Sequence, residues 1–189
     1  MSKKKRDDSY FAADRRKKKK SMMIIVPIII AVAAAAVAGA LLYQPPEVMA
    51  ISGVECNRTE QLNYHVHAHI NVFVDGREQQ VPENVGRLSS CLYWLHTHET
   101  DGIIHVEAPQ TREFTLGQFL DIWQQTSDSA GLFASVAGMN VTVYVDGEQV
   151  EGNYRDTPLQ SLEQIALVYG EPPANIPEEF NFAAENLTR

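Results

Sequence analysis

Polar and apolar residues alternate from Tyr64 to Val72. Tyr64, Val66, Ala68, Ile70, Val72 and Val74 fall on one face, and His65, His67, His69, Asn71 and Phe73 on the other. A period of two with β-branched residues predicts a strand with one face in a core. Asp75-Gly76 then predicts a type I′ turn into a return strand over 78–81. Residues 91–98, CLYWLHTH, read as a further strand, turned back at Asp101-Gly102 into a partner over 103–107. Residues 140–150 alternate around Asp146-Gly147, a third hairpin, and 165–169 form a last apolar strand. One helix interrupts this series. Thr115 and Gln118 fit a capping box, Phe114 and Phe119 a hydrophobic staple, and Leu116, Phe119, Leu120 and Trp123 recur on one helical face. Residues 126–138 read as loop, and the tail 171–189 as extended. The order ββ, ββ, α, ββ, β predicts an α+β domain of two layers, β-hairpins with one packed helix, in a β-grasp-like arrangement.

The N-terminus follows a different pattern. Residues 22–43 carry no charge, and about 22 helical residues span roughly 33 Å, enough to cross a hydrocarbon core. The preceding 20 residues hold ten Lys/Arg against three Asp, whereas 44–189 hold six Arg, no Lys and 21 Asp/Glu. The positive side is expected to stay cytoplasmic, with Tyr43 at the far interface. The expected organisation is therefore a basic cytoplasmic tail (1–21), a transmembrane helix (22–43) and a linker (44–60). An extracytoplasmic histidine-rich domain (61–170) and a C-terminal tail (171–189) follow. The rival is a cleaved signal peptide ending at Ala38-Gly39-Ala40. Both place the acidic domain outside the cell, with the lipid bilayer as a partner of 22–43. A nucleic-acid partner is excluded by the domain's net charge of −15.

Export gives the two cysteines meaning. Cys56 and Cys91 pair more often than not in an oxidising compartment, closing a loop worth about 3–4 kcal/mol in the chain-entropy model. The competing role for Cys91 is as a metal ligand, or as a nucleophile beside His96. Asn57, Asn140 and Asn186 begin N-glycosylation sequons.

All six histidines lie between 65 and 105. His65, His67 and His69 stand ~6.6 Å apart in succession on one strand face, too widely for all three to meet one ion. The second hairpin supplies more. If Asp101-Gly102 is a two-residue turn, His98 opposes His105 and His96 opposes Glu107, which gathers His96, His98, His105 and Glu107 in one patch. Three imidazoles with an open position suit Zn²⁺ or Cu²⁺. Glu99, Asp101 or Glu107 would orient the second ring nitrogens. The blander reading is a solvated, pH-responsive histidine patch. No G-x-S-x-G or phosphate-binding glycine loop occurs, and Glu99 follows His98 too closely for a cupin pattern.

With YHVHAHI, CLYWLHTH…GIIHVE and TLGQFLDIW, residues 52–170 resemble a family of exported, often membrane-anchored archaeal and bacterial domains. The resemblance implies a Cys56–Cys91 disulfide and a histidine site shared by positions 65, 67, 69, 96, 98 and 105. It implies no activity. The function expected is a membrane-anchored domain holding copper or zinc as a binding or accessory protein, beside a membrane complex. The alternatives are a His₃ metalloenzyme for hydration or hydrolysis, and a pH-sensitive interaction module without metal.

Overall fold

The computed structural model describes residues 9–42, 50–128, 131–185 and 187, with the side chains of the first helix described over 23–39. The expected basic tail over 1–8, Tyr43, the linker over 44–49 and Asn186 lie outside the described residues. Two compact units result, Met1–Glu47 and Val48–Arg189.

In the first unit α1 (Ser9–Leu42) is helical throughout, with Pro27 inside it. It starts well before residue 22, because Ala12, Ala13 and the Arg/Lys run over 15–20 are strong helix formers. Among the described residues no helix is long and apolar enough to cross a membrane.

The second unit is α+β and mostly sheet. Its axis is β2 (Tyr64–Val74). On one side β2 pairs antiparallel with β6 (Ile103–Ala108) and, beyond it, with β3 (Arg77–Gln79). On the other side it pairs parallel with β9 (Gln164–Tyr169), which pairs antiparallel with β7 (Val141–Val145). Short strands β5 (Leu95–His96) and β8 (Glu148–Gln149) close the two edges. A separate ribbon joins β1 (Cys56–Asn57) to β4 (Leu92–Tyr93), and the Cys56–Cys91 disulfide clamps it. The thiol of Cys91 is thereby consumed, so Cys91 is neither ligand nor nucleophile.

Helix α2 (Leu116–Thr126) begins with the expected capping box, Thr115 and Gln118 bonding reciprocally. It buries Leu116, Phe119, Leu120, Ile122 and Trp123. These pack in one core with Ala68, Ile70 and Val72 of β2, Ile104 and Val106 of β6 and Ile165 and Leu167 of β9. The even positions of β2 thus face the helix. Its odd positions face away, where Phe73 makes a smaller cluster with Ala166, Val168, Tyr144 and Ile176.

Two of the three Asp-Gly turns form as expected. Asp75 and Gly76 have φ of 46° and 73°, Asp146 and Gly147 of 49° and 82°, and the strands pair directly across them. The third does not. His96 pairs with His105 rather than with Glu107, so residues 97–102 form a six-residue loop and the register slips by two. The cause is local. Asp101 Oδ1 accepts the Ile103 amide at 3.0 Å, and Gly102 continues the β2–β6 ladder through Ile70 N–H to Gly102 O at 2.9 Å. A Cβ on Gly102 would stand 2.5 Å from Ile70 O. The glycine is there for close approach of two backbones, at φ 79°, and not for a tight turn. Over 126–138, expected as loop, a single helical turn α3 (Leu132–Ser135) intervenes.

Candidate metal centre

A slip of two residues keeps every side chain on its face, and it sharpens the histidine array. His67 of β2, His105 of β6 and His96 of β5 are now directly registered partners across three adjacent strands. Their ring centroids stand 4.8 and 5.4 Å apart, His105 in the middle. His65 adds a fourth ring 4.5 Å from His67. His98, in the loop after β5, adds a fifth at 4.4 Å from His105 and 4.8 Å from His96. Glu107, registered opposite His65, places Oε1 3.2 Å from His65 Nε2.

Two overlapping sets of donor atoms result. His96, His98, His105 and Glu107 offer one atom each within 4.8 Å of one another, and so do His65, His67 and His105. The first set has the better-defined ligand geometry. His96 Nδ1 lies 2.9 Å from Tyr93 O, and because a carbonyl only accepts, Nδ1 carries the hydrogen and Nε2 the lone pair. That Nε2 faces His98 Nε2 at 3.2 Å. Two nitrogens bound to one tetrahedral ion at 2.0–2.1 Å would lie about 3.3 Å apart. The backbone of Tyr93, rather than Glu99, Asp101 or Glu107, is thus the group that orients a metal-facing imidazole.

Burial and mutual proximity determine the charge state. Burial first, then the neighbouring rings of His98 and others, hold His96 down to about 3 and His105 to about 2. Burial, then His65 and His98, hold His67 down to about 4. All three are neutral imidazoles at pH 7, the form that ligates a metal. Burial, then Glu60, pushes the Glu107 carboxyl up to about 7. Within this cluster His67 Nε2, His105 Nδ1 and Glu107 Oε2 are buried without a hydrogen-bond partner among the described residues. Buried polar atoms left so cost about 1–3 kcal/mol each. A divalent cation on the first set would take up donors of His105 and Glu107, and its charge would draw Glu107 back to the carboxylate form.

His69, expected with the other five, stands apart. Its Nδ1 lies 2.7 Å from Gln164 Oε1 and its Nε2 2.8 Å from Asp101 O. Its ring stacks on Phe180 of the C-terminal tail at 3.8 Å and 8°. Burial lowers its pKa against those two hydrogen bonds. Both nitrogens face protein oxygens, one of which the ring's N–H bonds, and His69 joins neither donor set. The tail is therefore not merely extended: with Phe182 buried and Ile176 on the smaller cluster, it covers part of the face that carries the histidines.

Of the remaining expected positions, Asn57 accepts the Trp94 indole N–H and lies half-buried in β1, and Asn140 is exposed just before β7. One participant was not foreseen: Glu60, whose Oε1 stands 3.9 Å from His98 Nε2. Its position four residues after a cysteine bonded to Cys91 was the available signal, since the disulfide brings that segment to the histidine strand. No protein-family model, no curated protein and no solved structure matches the chain, so the histidine array stands on its own geometry.

Proposed function

We propose that the domain of residues 48–189 holds one transition-metal ion, copper or zinc, on His96, His98, His105 and Glu107. The observation that carries this reading is the convergence of four donor atoms within 4.8 Å, two of the four residues, His105 and Glu107, holding a buried polar atom without a hydrogen-bond partner among the described residues. Three nitrogens and one oxygen suit Zn²⁺ or Cu²⁺ better than Ca²⁺ or Mg²⁺, which take oxygen ligands. The role is that of a metal-binding or accessory protein. The exposed Ile24, Ile28, Ile29 and Val32 of α1, flanked by the basic run, support an anchored, N-in protein acting at the outer membrane face. The family resemblance agrees with such a placement, and the central order β6-β2-β9-β7 around a parallel pair supports classing the domain as β-grasp-like.

A second reading, a His₃-type metalloenzyme, is favoured by one specific feature: an open cleft that reaches His98. An ion at the edge of such a cleft could bind water and lower its pKa toward 7. Metal analysis of the purified full-length chain tests both. After reconstitution and desalting, about one equivalent of zinc or copper is expected, and H96A/H98A should retain less than about a tenth of that. A wild-type chain as empty as the variant would overturn the metal reading.

A further inference from the structure

The domain is acidic and without lysine, so its few guanidinium groups are conspicuous by position. Arg155 pairs with Asp121, and Arg112 lies over the Phe114 ring and donates to Gly53 O. These two hold the fold. Arg58 and Arg87 have no such role: both are exposed and form no ion pair among the described residues. Yet they line one cleft of about 480 Å³, together with Thr59, Ser89, Ser90 and His98. That volume is within the range of small-molecule sites.

The disulfide builds this cleft. Arg58 follows Cys56 by two residues and Arg87 precedes Cys91 by four, so the Cys56–Cys91 bond ties together the two segments that carry the guanidiniums. Backbone bonds from Leu88 N to Cys91 O and from Tyr93 N to Gly86 O fix the second segment to β4. The two segments present two guanidinium forks and three hydroxyls against one carboxylate, Glu60. Guanidinium forks match the paired oxygens of carboxylate and phosphate. His98, whose Nε2 is 3.2 Å from that of His96, lines the same cleft.

We propose that this cleft binds a small oxyanion-bearing molecule, a carboxylate or a phosphate, through Arg58 and Arg87, and presents it to the ion held by His96, His98, His105 and Glu107. Presentation to the ion rests on the metal reading above; anion capture by the two arginines does not. The anion's two oxygens take the forks, the serine hydroxyls of Ser89 and Ser90 take the remaining lone pairs, and one end of the molecule lies against His98.

Calorimetric titration of the full-length chain with acetate and with inorganic phosphate, zinc-loaded and metal-free, tests it. At least one probe should bind, and R58A/R87A should weaken it by about tenfold or more, the loss expected for charge-assisted hydrogen bonds. R77A, which removes an exposed guanidinium on β3 outside the cleft, should bind as wild type. R58A/R87A should still take up its zinc, which shows that the domain is folded. Zinc uptake without binding of either probe, or unchanged binding in R58A/R87A, would overturn the cleft and leave the metal reading standing. Anion binding that needs Arg58 and Arg87 in a chain that takes no zinc would leave the cleft and remove the metal.

Discussion

Two ends of one strand face carry the same residue type to opposite ends. At the start of β2, His67 is buried with its Nε2 unpartnered among the described residues, and it is registered beside His105 and, through it, His96. Two residues on, His69 is buried equally but has both nitrogens facing protein oxygens and a phenyl ring stacked on it. The first arrangement leaves donor atoms for a ligand. The second uses the imidazole as a structural pin that fastens the tail and the 97–102 loop to the sheet. An array of histidines is therefore not a site by virtue of its spacing. What distinguishes site from scaffold is which ring nitrogens the rest of the fold has already taken.

Several substitutions sharpen that contrast. The largest effect is expected from H96A/H98A, which should weaken zinc binding by more than about a hundredfold, since the outer partners of metal ligands alone are worth 10–100-fold. Competition with a chelator of known affinity measures it. Next, E107Q should lower affinity by about tenfold and flatten its pH dependence, because a carboxyl pushed up to about 7 must lose a proton to bind. Wild-type affinity should fall as the pH drops below 7; an equally steep fall in E107Q would assign the effect elsewhere. H69A should reverse the pattern of H96A/H98A, costing about 1–3 kcal/mol of stability while metal content stays unchanged. F180A is the mildest, about 1 kcal/mol from the lost stack, seen as faster amide exchange in the tail without change at the metal.

Acid should act on the buried histidines as well. His67, His96 and His105 take up protons near 6.5 when unfolded but only near 4, 3 and 2 when folded. Protonation therefore favours the unfolded chain, and the metal-free protein should lose stability as the pH falls below 6.5. Glu107 has the opposite sign: raised from 4.5 to about 7, it contributes fully below 4.5 and loses its contribution as the pH rises through 7. Denaturant melts of the metal-free chain across pH 4–8 should show the histidine loss dominating, since His69 is lowered as well and Glu163 alone joins Glu107 on the other side. A stability that rises on acidification from 6.5 to 5 would contradict this assignment.

Much of the architecture was legible because local rules determine it. The alternation over 64–74, the Asp-Gly turns at 75–76 and 146–147 and the capping box at Thr115 each depend on residues near in sequence. The register at 101–102 was not legible in the same way. Asp-Gly marks a tight turn only when neither residue has a better offer, and here Asp101 caps Ile103 while Gly102 lies against Ile70 O. The parallel pairing of β2 with β9, some ninety residues apart, and the return of the tail over His69 are long-range packing outcomes with no local signature. The histidine patch survived the register error because a shift of two keeps the face. The role of His69 did not follow from the pattern, since its partners Gln164, Asp101 and Phe180 come from three distant segments.

X-ray absorption at the metal edge of the reconstituted full-length chain tests the central claim most directly. A first shell of three imidazole nitrogens and one carboxylate oxygen at about 2.0–2.1 Å is predicted, with the multiple-scattering signature of histidine reduced in H96A/H98A. A shell of light oxygen scatterers without imidazole, unchanged by that substitution, would contradict the account.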